Sequence, residues 1–117
     1  MPGPAGAIEL AIDRPDGAPV GVAVIAHPHP LFGGNMTNKV VQTLARAAVI
    51  AGYEAVRFNF RGVGASVGTH DEGRGEVDDM LAVIKARAPH GALCVAGFSF
   101  GAFVSTHVVH RLQASRE

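Results

Sequence analysis

Ser99 stands between two glycines in Gly97-Phe98-Ser99-Phe100-Gly101, and this stretch joins a strand-like apolar run, Ala92 to Ala96, to a helix-like one from Gly101 to about Gln113. A hydroxyl is a weak nucleophile unless the backbone presents it openly and neighbouring groups stabilise the charge it creates. A sharp strand-to-helix turn does the first. It leaves the hydroxyl at the carboxyl end of a sheet, and it needs glycine two residues to either side because a side chain there would strike the adjoining strand or helix. Gly97 and Gly101 meet that need. The start of the following helix does the second, since its free N–H groups and partial positive charge face the serine. The Phe100 N–H is placed to hold an oxyanion. The competing reading, a glycine-tolerant connection with an incidental serine, is outweighed by the flanking strand and helix.

A second segment has chemistry of a different kind: Ala26-His27-Pro28-His29-Pro30-Leu31-Phe32-Gly33-Gly34-Asn35, which leaves an apolar strand and enters a helix. An oxyanion hole draws a second N–H from such a loop. Pro28 and Pro30 have none to give, so Leu31 is the first candidate. Gly33 and Gly34 then permit close approach of a substrate or an adjacent loop. His27 and His29 are expected to be structural, each bonding neighbouring loops, because a His-x-His pair alone is a weak zinc signal. Among the remaining candidates, Gly62-x-Gly64 with Gly68 suggests a phosphate cradle, but a dinucleotide fingerprint leads directly into a helix and this loop does not. His70-Asp71-Glu72 reads as a solvated loop. Cys94, five residues before Ser99 on a strand, reads as inert buried core. No metal and no cofactor is implied.

The elements that must position these groups alternate along the chain. Ala7 to Ile12 reads as a short strand, followed by a turn at Asp13-Arg14-Pro15-Asp16-Gly17 that makes a hairpin or a bend. Val20 to Ala26 is continuously apolar and β-branched, as a central strand covered on both faces should be. From Thr37 to Ala51, Val41, Leu44, Ala48 and Ala51 recur at helical spacing, and Gly52 ends the run. Glu54 to Phe60 alternates, with Val56, Phe58 and Phe60 on one face and Ala55, Arg57 and Asn59 on the other. A glycine-rich loop covers Arg61 to Gly75. The next helix buries Val77, Met80, Leu81 and Ile84, and carries Glu76, Asp78 and Asp79 in its first turn, where the helix dipole favours negative charge. Val104, Val108 and Leu112 form the stripe of a last helix. The class is α/β with a mostly parallel sheet and flanking helices.

Composition bounds the rest. The 117 residues suffice for one small domain, and 48% hydrophobic against 17% charged residues excludes a disordered chain. Ten Lys and Arg balance ten Asp and Glu, so no basic field gathers nucleic acid. No apolar run reaches the roughly 20 residues of a membrane span, and the start lacks a signal peptide's charged and apolar regions. The single cysteine fits a reducing compartment. A cytoplasmic location is therefore expected.

Three motifs in order, His27-Pro-His-Pro-Leu-Phe-Gly-Gly-Asn35, Arg57-Phe-Asn-Phe-Arg-Gly-Val-Gly-Ala-Ser66 and Gly97-Phe-Ser-Phe-Gly101, resemble the bacterial serine α/β-hydrolases of the dienelactone-hydrolase-like and prolyl-oligopeptidase-like groups. The resemblance runs from about Ala7 to the end. It implies Ser99 as nucleophile, Phe100 and Leu31 as oxyanion donors, and a small-molecule carboxylic ester or related acyl substrate. Many relatives have an aspartate where this chain has Asn59, so Arg61 lacks that partner and its loop is expected to be held differently. The resemblance also implies a triad completed by Asp or Glu and then His, from loops well downstream. After Ser99 this sequence offers one acid, Glu117, and two histidines, His107 and His110, in the elbow helix itself. His107 would lie about 12 Å along that helix, beyond reach of the hydroxyl, whereas His27, His29 and His70 come from other loops at the same sheet end and stay open as a substitute base, a role the family pattern gives to none of them. The chain thus resembles the N-terminal half of the fold, residues 1–117 forming one incomplete hydrolase domain. An unpaired outer edge on the Ala92–Ala96 strand is the expected result, with self-association through it. The alternative reading is a non-catalytic remnant acting as an interaction module.

Overall fold

The computed structural model describes residues 1–116. Two short strands, β1 (Pro2–Gly3) and β2 (Gly6–Ala7), pair with each other, and the main sheet begins only at β3 (Leu10–Asp13). The expected strand from Ala7 is thus divided, with Ile8 buried between its parts. The turn after Asp13 makes a bend rather than a hairpin, because the next strand, β4 (Val22–Ala26), is not β3's neighbour. Asn38 then starts α1 (Lys39–Ile50), its side chain accepting bonds from the N–H groups of Val40 and Val41. The chain turns at Gly52, whose φ of 94° suits glycine alone, into β5 (Glu54–Phe58). A long loop leads to α2 (Arg74–Arg87), then β6 (Leu93–Gly97) and α3 (Phe100–Arg116).

The sheet order is β3-β5-β4-β6, with β3 antiparallel to β5 and the other three strands parallel. β4 is central, as its unbroken apolar run demands: Ala23, Val24, Ile25 and Ala26 are all buried. The alternation in β5 divides its side chains between two layers. Val56 and Phe58, with Phe60 beyond the strand, join Val24, Met80, Val83, Val104 and Val108 in the larger core under α2 and α3. Ala55 joins Ile25, Val41 and Ala45 under α1. In α2 it is Val83 rather than Leu81 that is fully buried, because this helix packs against both the sheet and α3.

One expectation fails here. Cys94 is exposed, not buried core. It shares a sheet face with Ala96, two residues on, which packs into the layer under α1. That helix lies over β4 and β5, leaving Cys94 uncovered on β6 at the edge of the sheet. Among the described residues, no helix is long and apolar enough to cross a membrane.

Candidate active site

The connection from β6 to α3 is as sharp as its glycines suggest. Ser99 has φ of 57°, one of two non-glycine residues with positive φ in the described chain. A left-handed conformation at a side-chain-bearing residue costs energy and marks a constrained position. The turn is closed by Gly101 N–H donating to the Phe98 carbonyl (3.0 Å) and Phe103 N–H to the Ser99 carbonyl (3.1 Å). Phe98 N–H donates to the Ala26 carbonyl at 3.2 Å, tying the turn to the end of β4. Neither flanking glycine has room for a side chain: a Cβ on Gly97 would run into the Gly101 carbonyl, and one on Gly101 into the carbonyl oxygen of Ala26. Ser99 itself is exposed. Phe100 opens α3, so its N–H is among those that a helix start leaves without an intrahelical acceptor.

The loop after β4 brings its two histidines to different tasks. His27 is fully buried, accepts the Phe60 N–H at Nε2 (3.0 Å) and donates from Nδ1 to the Pro28 carbonyl (2.6 Å). Burial pushes it below the ordinary imidazole value, the Pro28 bond opposing only in part. It is the structural histidine expected, joining the ends of β4 and β5. His29 caps a single 3-10 turn, Pro30–Phe32, by accepting the Leu31 N–H at Nδ1 (3.1 Å). Leu31, the second expected oxyanion donor, thus already has an acceptor in this state. Gly33 closes the turn at φ of 80°, and Gly34 has Pro28 so near that a Cβ would meet its carbonyl. Gly34 therefore serves the loop's own fold, while Gly33 faces open space.

The loop after β5 is anchored from α2. Arg61 donates to Asp79 through its backbone N–H (3.0 Å), Nε (3.1 Å) and Nη2 (2.8 Å), and to the Gly75 carbonyl (2.8 Å). The bonds to Asp79 raise the Arg61 pKa above its ordinary value. This is the different hold that Asn59 required. Asn59 accepts the Met36 N–H (2.9 Å) and donates to Glu9 (2.8 Å), whose carboxylate also takes the Ala65 N–H (2.8 Å). Glu76 and Asp79 do more than answer the helix dipole. Both are buried, and the Glu76 carboxylate accepts the N–H groups of Asp71 (2.9 Å) and Gly73 (3.0 Å). Within the loop Gly62 N–H is spent on the Ser66 carbonyl and Ser66 N–H on that of Val63, and the Glu9 carboxylate sits beside Gly64 and Ala65, a negative charge where a phosphate would have to lie. A phosphate cradle at Gly62 and Gly64 is thereby disfavoured.

These loops meet around one aromatic. The Phe100 ring lies 4.8 Å from His29, 5.6 Å from His70 and 5.6 Å from Phe60, and His29 lies 4.8 Å from His70. Beside them a cavity of about 500 Å³ is lined by Leu31, Gly33, Gly34, Asn35, Thr69 and His70, among others. His107 and His110 line a separate groove between α2 and α3, where the His107 ring rests on Phe103. Glu117 lies outside the described residues. Sequence reasoning missed Glu9, Glu76 and Asp79 as fasteners. The available signal was that Glu76, Asp79, Met80 and Val83 fall on one helical stripe, where an acid among apolar residues requires a partner.

Residues 7–114 match the family model of X-Pro dipeptidyl-peptidase (S15 family). An uncharacterized protein of Rickettsia prowazekii is 41% identical over 113 residues, covering 93% of this chain and 48% of that protein. The fold is shared with an α/β serine hydrolase homologue from Coxiella burnetii (47% identity, TM-score 0.90), with 95% of this chain covering 55% of that one. An α/β serine hydrolase without lid from Xanthomonas campestris is similar at 42% identity and TM-score 0.86, with 95% and 54% covered. The chain therefore spans about half the length of these three relatives. Nothing in these likenesses favours a non-catalytic module.

Proposed function

The chain belongs to the X-Pro dipeptidyl-peptidase (S15) family, with the fold of α/β serine hydrolases, and from that premise we propose that it carries the nucleophile and oxyanion donors of a hydrolase of carboxylic esters or related acyl compounds. Ser99 Oγ attacks the acyl carbonyl carbon, and its proton passes to a base and then to the leaving oxygen as the carbon–oxygen bond breaks. Water repeats the sequence on the acyl-serine and releases the acid. The N–H groups of Phe100 and Leu31 hold the oxyanion, with the substrate displacing His29 Nδ1 as acceptor for Leu31. The family resemblance puts the acid and base of the triad after the elbow helix, so the proposal for this chain concerns the nucleophile and its donors.

The observation that carries this reading is the φ of 57° at Ser99. A serine held in a strained conformation between two glycines without room for a Cβ is over-determined by its surroundings, which is how reactive residues are fixed. The test is covalent labelling by a fluorophosphonate, with and without added imidazole as an external base. We expect label on Ser99, more with imidazole, and none on Ser99→Ala. A folded protein that stays unlabelled in both conditions overturns the reading.

A further inference from the structure

The proposed chemistry leaves one buried pair of ionisable groups unused. Glu76 is fully buried in the first turn of α2, and its Oε2 lies 3.0 Å from Nδ1 of His70. The ring is turned off the direct line of a hydrogen bond, yet Nδ1 is buried and has no other partner. A carboxylate oxygen can only accept, so a bare lone pair on Nδ1 would face it unfavourably and leave a buried nitrogen unsatisfied. The proton of neutral His70 therefore belongs on Nδ1. Its other nitrogen, Nε2, is not buried and has no protein partner among the described residues. His70 lines the cavity of about 500 Å³ beside Leu31, and its ring is fixed between His29 and Phe100, the residue after Ser99.

We infer that His70 is a specificity-determining residue whose Nε2 accepts a hydrogen bond from a hydroxyl or amide N–H on the acyl substrate. Glu76 is the positioning residue that sets its tautomer, in the way that a carboxylate behind a histidine fixes which nitrogen faces outward. Of the other polar side chains lining the cavity, Arg61 is committed to Asp79 and the Gly75 carbonyl, and the Asn35 amide oxygen already takes the Thr37 N–H, which leaves His70 and its neighbour Thr69 as acceptors, and the loss of preference in His70 variants separates the two. The preferred substrates are thus acyl compounds bearing a hydrogen-bond donor, in place of those wholly apolar beyond the carbonyl.

This inference rests on the reading of Ser99 as nucleophile, and its test is made separable by using Ser99→Ala protein, in which nothing is acylated. Two near-isosteric esters serve as probes, methyl 3-hydroxybutanoate and methyl 3-methylbutanoate, with the histidine side chains followed by nitrogen-15 NMR. We expect the His70 proton on Nδ1, a shift of its Nε2 on adding the hydroxy ester, and about 3- to 10-fold tighter binding of that ester, the worth of one hydrogen bond. In His70→Phe, which keeps an aromatic ring against His29 and Phe100, the two affinities become equal, and His70→Gln serves as a second variant should the first not fold. A proton on Nε2, equal affinities, no binding of either ester, or a preference that survives loss of His70 each overturns the inference. Loss of fluorophosphonate labelling with the preference intact would instead overturn the nucleophile reading alone.

Discussion

The two loops flanking the candidate site are fixed by opposite means. The segment from Arg61 to Gly73 is fastened by buried charge: Asp79 takes three bonds from Arg61, and Glu76 takes two from backbone N–H groups. The elbow from Gly97 to Gly101 is held by the absence of atoms, since its glycines let two backbone strands and a helix touch. The first region should fail when a group is removed, because what remains is a buried charge without its partner. The second should fail when a group is added, because the colliding atoms are backbone and cannot turn aside.

Asp79→Ala presses hardest on this contrast. It strands a guanidinium whose side chain is only 14% exposed, and a loss of about 3–5 kcal/mol is expected in urea unfolding. Replacing Arg61 and Asp79 together by Leu should recover part of that loss, as expected if the stranded charge, and not the missing contact, is the cause. Gly101→Ala tests the other side. One methyl group against the Ala26 carbonyl should cost about 1–3 kcal/mol in the same measurement, and fluorophosphonate labelling should fall with it. An unchanged midpoint would mean that the elbow has slack that its geometry denies.

The smallest effect concerns a proton. His27 sits below the ordinary value of 6.5 because of burial, so the unfolded chain binds a proton that the folded one refuses. Its contribution is full above pH 6.5 and is lost as the pH falls below it. Glu9 is held below 4.5 by bonds from Ala65 and Asn59, and its stabilisation is lost only lower, as the pH falls from 4.5. The free energy of unfolding between these two values should therefore drop with acidification in urea titrations, and His27→Gln should flatten that slope, to which one proton contributes at most about 1.4 kcal/mol per pH unit.

The order of strands and helices was legible because each element of this chain keeps one period. β4 is apolar throughout and became the centre; β5 alternates and divides two cores; Gly97 and Gly101 mark a turn that no other residue could make. What escaped was pairing across distance. Glu9 and Asn59 are 50 residues apart, and nothing local in either announces the other. Asp79 reads locally as a favourable charge near a helix start, whereas its role is set by an arginine 18 residues earlier. Cys94 has the neighbours of a core residue along the chain, but its burial depends on how far α1 reaches across the sheet, which no single segment encodes.

That uncovered cysteine also makes the fold addressable. The sequence contains one thiol, and it lies open on the strand that leads into the elbow. A maleimide dye should attach in the native state at a single site, five residues from Ser99, without any engineered substitution. Its emission and its rate of attachment would then report on whatever comes to rest over the outer strand, whether ligand, partner or further chain.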